Sequence, residues 1–554
     1  MMVAGNTFRA GQTLTADICI IGSGPAAISM ALSLNESALS VIMLTGGGWT
    51  ETIGNQDLYR GSVAPGSSHE PLEENRRRQF GGSSAAWGGR CIPLDPLDFE
   101  ARCWVPDSGW PISYAELLPY YHRAAEVCQI GRFEFNAQTA FAGAHREILA
   151  GLDSQDLISN ALERWSPPVH FGKAYRAVLE SSPNVQVLLD AHVLALHTAP
   201  TSNAVSHVAA TMHGLPLTVQ ARRFVLATGG IENARLLLAS SSARFPTGLG
   251  NQHDNVGRYY MAHFCGICVD VKVQDQQKLQ ADFERDTDGV YCRRRWSFPT
   301  PVQAANQLLN TIFFLYHANG NNGHRDVLFS SRFVAKSALF ILSQKSMNQM
   351  LKQARQALPA LKEHVANIAK NGLAEVPDLI RLGLKRMAKR RLPYLLPSQR
   401  NPYWGLYFQA EQTPNRESRV CLSASEKDAF GMPRVEVNIA FREADIESIV
   451  RAHTLFAERF MAQRLGEIRY CEDEVRRYVR GQIGSFNSSA HHIGTTRMSD
   501  DPRTGVVDKH AKVHGMSNLY VAGSSTFPTG GHANPTLTIV AQALRLADYL
   551  KGAG

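Results

Sequence analysis

The chain has 554 residues, 44% of them hydrophobic and 19% charged, with a formal net charge of +8. That composition excludes a disordered chain, and at about 100–200 residues per domain the length allows several hydrophobic cores. Between Arg332 and Arg400 there are 14 Lys/Arg and 3 Asp/Glu, a net of +11, which leaves −3 for the rest. The basic character therefore belongs to one segment, and no matching nucleic-acid-binding module accompanies it.

The N-terminal stretch has one Arg and no apolar h-region, so no signal peptide is expected. The nine cysteines are odd in number and scattered. Reduced thiols in the cytoplasm fit that pattern better than a disulfide framework. Cys265 and Cys268 form one CxxC inside CGICVDVKV, which reads as a strand. Residues three apart on a strand face opposite sides, so no metal site is expected.

The first recognisable unit is a βαβ. Asp17 to Ile21 reads as a buried strand, Gly22 to Gly24 as the turn, Ala26 to Leu34 as a helix, and Val41 to Leu44 as a second parallel strand. Gly22 permits a tight turn, Ser23 follows it, Gly24 lets a pyrophosphate approach the backbone, and Ala27 lets helix and strand pack closely. The helix N-terminus then favours the anion, so the unit is built to hold a dinucleotide. One position departs from this pattern. The second strand ends in Thr45 rather than an acid, and a single hydroxyl cannot grip a ribose in two places.

Further along, a Gly-rich loop at Gly46–Gly48 precedes an irregular stretch reaching Arg76–Gly89. Ser113 and Glu116 form a capping box for a helix through Ala125. Strands and turns run from Val185 to Phe224–Gly230, followed by a helix from Ile231 to Ala239. Arg419–Leu422 and Pro433–Ile439 alternate like antiparallel strands, and Ala444 to Leu465 reads as an amphipathic helix. Near the C-terminus, HHIGTTRM and GSSTFPTGGHANPTLT place a His and an Asn on short turns punctuated by Gly and Pro.

With these residues in view, the chain resembles the glucose–methanol–choline (GMC) family of flavoprotein oxidoreductases. Within it the likeness is to the bacterial branch near pyranose oxidase and the large subunits of fructose and gluconate dehydrogenases. The motifs are Gly22–Ala27, Phe80–Gly89, Phe224–Leu238, Gly250–His263, His491–Met498 and Leu519–Ile539, in that order. The resemblance implies an α/β fold with a Rossmann-like FAD-binding domain and a second, α+β substrate domain of antiparallel sheet and helices. The FAD-binding domain is expected from 1–100, 185–265 and 480–554, and the substrate domain from 101–184 and 266–479, with the basic helical insert at 332–400.

By the same resemblance the cofactor is FAD. Gly81 to Gly88 would wrap the flavin and pyrophosphate, with Gly82, Ser83, Ser84, Trp87 and Gly88 in contact. Val193, beside His192, would meet the adenine through its backbone, and Thr228 would line the same nucleotide. Gly523, Ser524, Pro535 and Thr536 would face the isoalloxazine. Where some relatives attach FAD through a His, this chain has Ala86, so non-covalent FAD is expected.

The resemblance makes His491 the base and Asn534 its partner. Oxidising an alcohol removes the hydroxyl proton as hydride leaves the carbon, and a neutral imidazole suits the first task. An amide cannot take a proton but can hold the substrate oxygen. His492, His253, His263 and His532 are expected to be structural, with His532 nearest to a role because it lies close to Asn534. Two readings stand for Glu411: a buried carboxylate that positions a substrate hydroxyl, or a solvated strand residue.

The expected activity is FAD-dependent oxidation of a CH–OH group in a sugar, polyol or hydroxylated metabolite, with oxygen, quinone or another molecule as acceptor. A lyase or other non-oxidising flavoprotein on the same scaffold is the alternative, and a docking subunit with a vestigial cofactor is another. A third is a membrane-associated dehydrogenase passing electrons to quinone. The insert at 332–400 likewise has two readings: peripheral contact with the inner face of a membrane, or a solvated basic face on a helical part of the substrate domain.

Overall fold

The computed structural model describes residues 2–3, 11–143, 146–317, 327–342, 347–387, 392–393, 403–484 and 490–552. It is a mixed α/β fold built on two large sheets. The first forms around β1 (Gln12–Ile21), α1 (Pro25–Leu34) and β2 (Val41–Leu44). β1 begins five residues before the expected strand. Its first half, Gln12–Ala16, alternates between exposed and half-buried and so lacks a continuous apolar run, but it pairs in parallel with Leu217–Ala221.

Across this sheet the order is Met2–Val3, Val185–Leu188, β2, β1, Leu215–Leu226, Val205–Met212 and Ala191–Thr198. Leu519–Val521 joins the far end of Leu215–Leu226 in parallel. The strands around β1 are parallel, whereas Ala191–Thr198, Val205–Met212 and Leu215–Leu226 form an antiparallel meander. Parallel strands covered by helices on a face read as unbroken apolar runs, as Ile18–Ile21 and Val41–Leu44 do. The C-terminal helix Thr536–Gly552 packs on both α1 and the helix Tyr114–Val127. Ser113 caps the latter helix with the expected box to Glu116.

The second sheet is antiparallel throughout. Its order is Gly466–Arg469, Phe264–Val273, Tyr403–Ala410, Thr311–His317, Tyr291–Ser297, Ile158–Trp165 and Arg90–Cys91. The helices Glu443–Ala462 and Glu472–Gly484 supply one wall of its core, in which Phe264, Trp296, Phe313, Phe408 and Phe456 meet. A small third sheet pairs Arg419–Lys427 with Pro433–Asn438, the two strands expected from their alternation. All nine cysteines are free.

The basic insert contains two helices, Val327–Leu342 and Met347–Met387, which pack on each other. Residues 343–346, 388–391 and 394–400 lie outside the described residues, and with them Lys389, Arg390 and Arg391 of the basic run that starts at Lys385. Among the described residues no helix is long and apolar enough to cross a membrane.

Candidate active site

A cavity of about 550 Å³ runs from the N-terminus of α1 to His491 and Asn534. At its first end Gly22 has φ +121, and a Cβ there would sit 2.2 Å from the Ala227 carbonyl oxygen. Gly22 is therefore needed for the turn itself. A Cβ on Gly24 would meet nothing within 4 Å. That open space lies where the backbone of the helix N-terminus faces the cavity, as a close approach by a pyrophosphate requires. Ala27 is fully buried and takes no part in the lining; it serves helix–strand packing.

Thr45 is 1% exposed, and its hydroxyl lies 2.6 Å from Ser23 Oγ and 3.3 Å from the Gly47 carbonyl. It ties β2 to the Gly22–Gly24 turn and is not a free ribose ligand. Gly82, Ser83, Ser84, Trp87 and Gly88 line the next stretch of the cavity. Two of them are already committed within the protein. Ser84 Oγ donates to the Gly81 carbonyl at 2.6 Å, and Trp87 Nε1 donates to the Val169 carbonyl at 2.8 Å. Val193, Thr228, Gly523, Ser524, Pro535 and Thr536 also line it. Sequence reasoning missed the His192 ring, which tilts against Phe430 with centroids 4.6 Å apart. Among the described residues His192 Nδ1 is buried with no hydrogen-bond partner. Burial holds this imidazole down to about 4, with the Arg78 charge adding to the effect.

At the other end, the loop carrying His491 is laced into place. Ile493 and Met261 exchange backbone hydrogen bonds at 2.9 and 3.1 Å as an antiparallel bridge. Gly494 N bonds the Ser524 carbonyl, and Ser524 Oγ donates to the His492 carbonyl at 2.6 Å. Two residues along from that bridge in each direction stand His263 and His491. In an antiparallel ladder such positions lie opposite each other on one face. The two imidazoles accordingly meet, Nδ1 to Nδ1 at 2.9 Å, with their rings nearly perpendicular. His492 turns the other way, toward Tyr260 and His69.

The hydrogen-bond directions follow from which atoms can only accept or only donate. The Gly531 carbonyl can only accept, so His263 Nε2, 2.9 Å away, carries a proton. Burial holds His263 down to about 4, so it is neutral, and its Nδ1 accepts. His491 Nδ1 therefore donates, and His491 Nε2 keeps a lone pair. The network on the other side agrees. Arg90 donates to Gln409 Oε1 at 2.5 Å, so Gln409 Nε2 donates to Asn534 Oδ1 at 3.2 Å. Asn534 Nδ2 then donates to His491 Nε2 at 3.2 Å. Both chains end at the same lone pair. Burial, then the neighbouring His263 and Arg90, hold His491 well below the ordinary histidine range. Of these residues, sequence reasoning did not single out Gln409 or Arg90, and His263, expected to be structural, touches His491 directly.

The loop Thr529–Asn534 is braced from outside. Trp110 Nε1 donates to Thr529 Oγ1 at 2.8 Å, and Gln409 Nε2 donates to the His532 carbonyl at 2.5 Å. The buried His532 ring sits between Arg295 and Asp95, where it supports the loop and does not contact His491 or Asn534. His253 is exposed and outside the cavity. Glu411 is fully buried and gripped by both Arg102 Nη atoms at 2.7 and 2.8 Å. It is neither solvated nor open to a substrate. Nearby, burial together with the Glu411 and Asp95 charges pushes Asp98 above the usual carboxylate range.

A model of the GMC oxidoreductase family matches residues 414–543. The chain is 22% identical to the fructose dehydrogenase large subunit of Gluconobacter japonicus, over 97% of this chain and 98% of that protein. It is 25% identical to paromamine 6'-oxidase of Streptomyces fradiae, over 97% and 91% of the two chains. Among solved structures it shares the fold of pyridoxine 4-oxidase from Mesorbium loti, with a TM-score of 0.55 at 16% identity over 96% of this chain and 98% of that one. The chain belongs to the GMC oxidoreductase family.

Proposed function

We propose that this chain is an FAD-dependent oxidoreductase that takes hydride from a CH–OH carbon, with His491 as the base. The observation that carries the reading is the single lone pair on His491 Nε2, set by two independent hydrogen-bond chains and 3.2 Å from the Asn534 amide. A hydroxyl that displaces the Asn534–His491 hydrogen bond meets an acceptor for its proton at His491 Nε2 and a donor for its oxygen at Asn534 Nδ2. Relatives named for fructose and paromamine support a sugar-like substrate, with polyols and other hydroxylated metabolites in the same class.

The residues present fit a flavin dinucleotide. Gly24 leaves room at a helix N-terminus, the unpartnered Nδ1 of His192 lies beside Phe430 in the cavity wall, and the far end reaches the His491–Asn534 pair. Gly22–Gly24 and Gly82–Ser83 would hold the pyrophosphate region, His192, Val193 and Thr228 the nucleoside, and Gly523, Ser524, Pro535 and Thr536 the ring system. Ala86 offers a methyl group to the cavity, which supports non-covalent attachment. The bound flavin would supply the hydride acceptor.

The chain's own residues do the rest. His491 Nε2 takes the hydroxyl proton, while its Nδ1–H stays bonded to His263 Nδ1 throughout. Asn534 fixes the alcohol oxygen, and Gln409 holds the Asn534 amide in the orientation that keeps its NH₂ toward the oxygen. Burial, then His263 and the Arg90 charge, disfavour the imidazolium, which keeps His491 neutral and able to accept the hydroxyl proton when the alcohol arrives. The first segment to residue 100, 185–265 and 480–554 form the FAD-binding domain in this reading, and 101–184 and 266–479 the substrate domain. The free cysteines support a reducing, cytoplasmic setting.

The test is anaerobic. Sugars, polyols and aliphatic or aromatic alcohols are added to the purified holoenzyme while the visible flavin absorption is followed. Bleaching by one class, lost in His491→Ala with flavin still bound, is the expected result. Failure of every class to bleach a bound flavin would favour the non-oxidising alternative. Admitting air afterwards separates oxygen from a quinone or other acceptor.

A further inference from the structure

The helical hairpin of the basic insert buries polar groups and exposes apolar ones. Where the long helix Met347–Met387 meets the helix Val327–Leu342, a polar cluster is buried among the described residues. Ser330 Oγ lies 3.0 Å from His364 Nδ1 and accepts from Asn367 Nδ2 at 2.8 Å. His364 and Asn367 are each 6% exposed. Five large apolar side chains of the long helix face outward: Leu351, Leu358, Val365, Ile380 and Leu384 are between 49% and 67% exposed, whereas Leu361 and Ile368 are half-buried. At 3.6 residues per turn these five fall within an arc of about 100°, on one face of the helix. A helix that turned this face inward and its His and Asn outward would be the ordinary arrangement, so the outward stripe calls for an apolar surface to cover it.

Charge says which surface. Arg355 and Lys362 are exposed on the same arc as the leucines, and the segment from Arg332 to Arg400 carries a net +11 against −3 for the rest of the chain. Protein interfaces deplete Lys at their apolar centre. A bilayer surface with anionic headgroups takes both at once, because Lys and Arg stems lie along the apolar layer while their heads reach the phosphates. The long helix has 41 residues, about 60 Å, and is not apolar enough to cross a membrane.

We propose that the long helix of this hairpin lies in the plane of an anionic lipid bilayer with its Leu351–Leu384 stripe buried in it. The proposal stands apart from the redox chemistry, and its test needs no substrate. Full-length holoenzyme is sedimented with vesicles of phosphatidylcholine alone or of phosphatidylcholine with about 30% phosphatidylglycerol, at low and high salt. Binding to the anionic vesicles, weakened by salt, is expected. Two variants probe the two halves of the face: Leu358→Glu with Val365→Glu, and Arg355→Glu with Lys362→Glu. Each changes exposed residues only, so flavin content should stay at the wild-type level while vesicle binding falls by more than about tenfold. Wild-type protein that ignores both vesicle types overturns the proposal, as does full binding by both variants. If sedimentation in solution instead shows a complex or dimer that the same variants abolish, with no vesicle binding, the stripe belongs to a protein partner and the lipid assignment is wrong.

Discussion

His263 and His491 face each other because Met261 and Ile493 pair two residues before one and two after the other. The 2.9 Å contact makes His263 a positioning residue for the proposed base, holding it in the tautomer whose lone pair faces the cavity. Replacing His263 by Leu removes the acceptor for His491 Nδ1–H and lets both tautomers populate. The flavin reduction rate is expected to fall about 10–100-fold with little change in KM, as losses of an orienting partner do elsewhere. His263→Gln keeps one acceptor and one donor and should recover much of the rate. Equal loss in Leu and Gln variants would mean that His263 only fills space.

Substitutions at Gly22 and Gly24 are expected to separate folding from cofactor binding. A side chain at Gly22 collides with the Ala227 carbonyl, so Gly22→Val should lower the melting temperature of the protein even without flavin. A side chain at Gly24 enters open cavity space. Gly24→Val should therefore fold with a near wild-type melting temperature as the apoprotein but retain little flavin. A Gly24→Val protein that purifies with full flavin would move the pyrophosphate away from this turn.

Much of the first sheet was legible in the sequence because parallel buried strands are short apolar runs bounded by glycine turns, as at Ile18–Gly24. His491 and Asn534 were legible only through the motifs around them. His263 was not, since its role depends on a bridge between segments 228 residues apart in the chain. Nothing in the local pattern of MAHFC distinguishes it from a core histidine. Glu411 was open to two readings because its partner, Arg102, is 309 positions away, and only the fold brings the two charges together. The insert's basic composition was plain, but which face of its long helix turns outward depends on the Ser330, His364 and Asn367 contacts.

His453 gives a stability effect with a defined sign. It is buried among Phe313, Phe408 and the second-sheet core, and burial holds it down to about 4 from an unfolded value near 6.5. Above pH 6.5 it is neutral in both states and contributes no pH dependence. Between 6.5 and 4 the unfolded chain binds a proton that the folded one does not, so stability falls with decreasing pH, by up to about 1.4 kcal/mol per pH unit for this group. Other groups titrate in the same range, so the quantity to measure is the difference between wild type and His453→Phe in urea unfolding. The wild type should lose ground to the variant from pH 6.5 to 4, and the two should run parallel above pH 7. Parallel curves through the acid range would mean that His453 charges freely in the folded protein.

Arg102 and Glu411 form a pair whose side chains are 1% and 0% exposed, behind the Asn534 loop. Burial acts to raise Glu411, but the Arg102 charge and its two hydrogen bonds outweigh that and hold it below the usual carboxylate range. A pair this deep is weak evidence for stability by itself, but breaking one half strands a buried charge. Arg102→Leu is expected to cost about 3–5 kcal/mol, and Arg102→Leu with Glu411→Leu to cost less than that single change. The same proteins decide whether Glu411 has any contact with substrate. A structural pair predicts that a folded double variant keeps the wild-type KM and loses activity only in proportion to its lost stability. A carboxylate that held a substrate hydroxyl would instead show a raised KM in Glu411→Gln, where the Arg102 side keeps a hydrogen-bond acceptor and the fold is least disturbed.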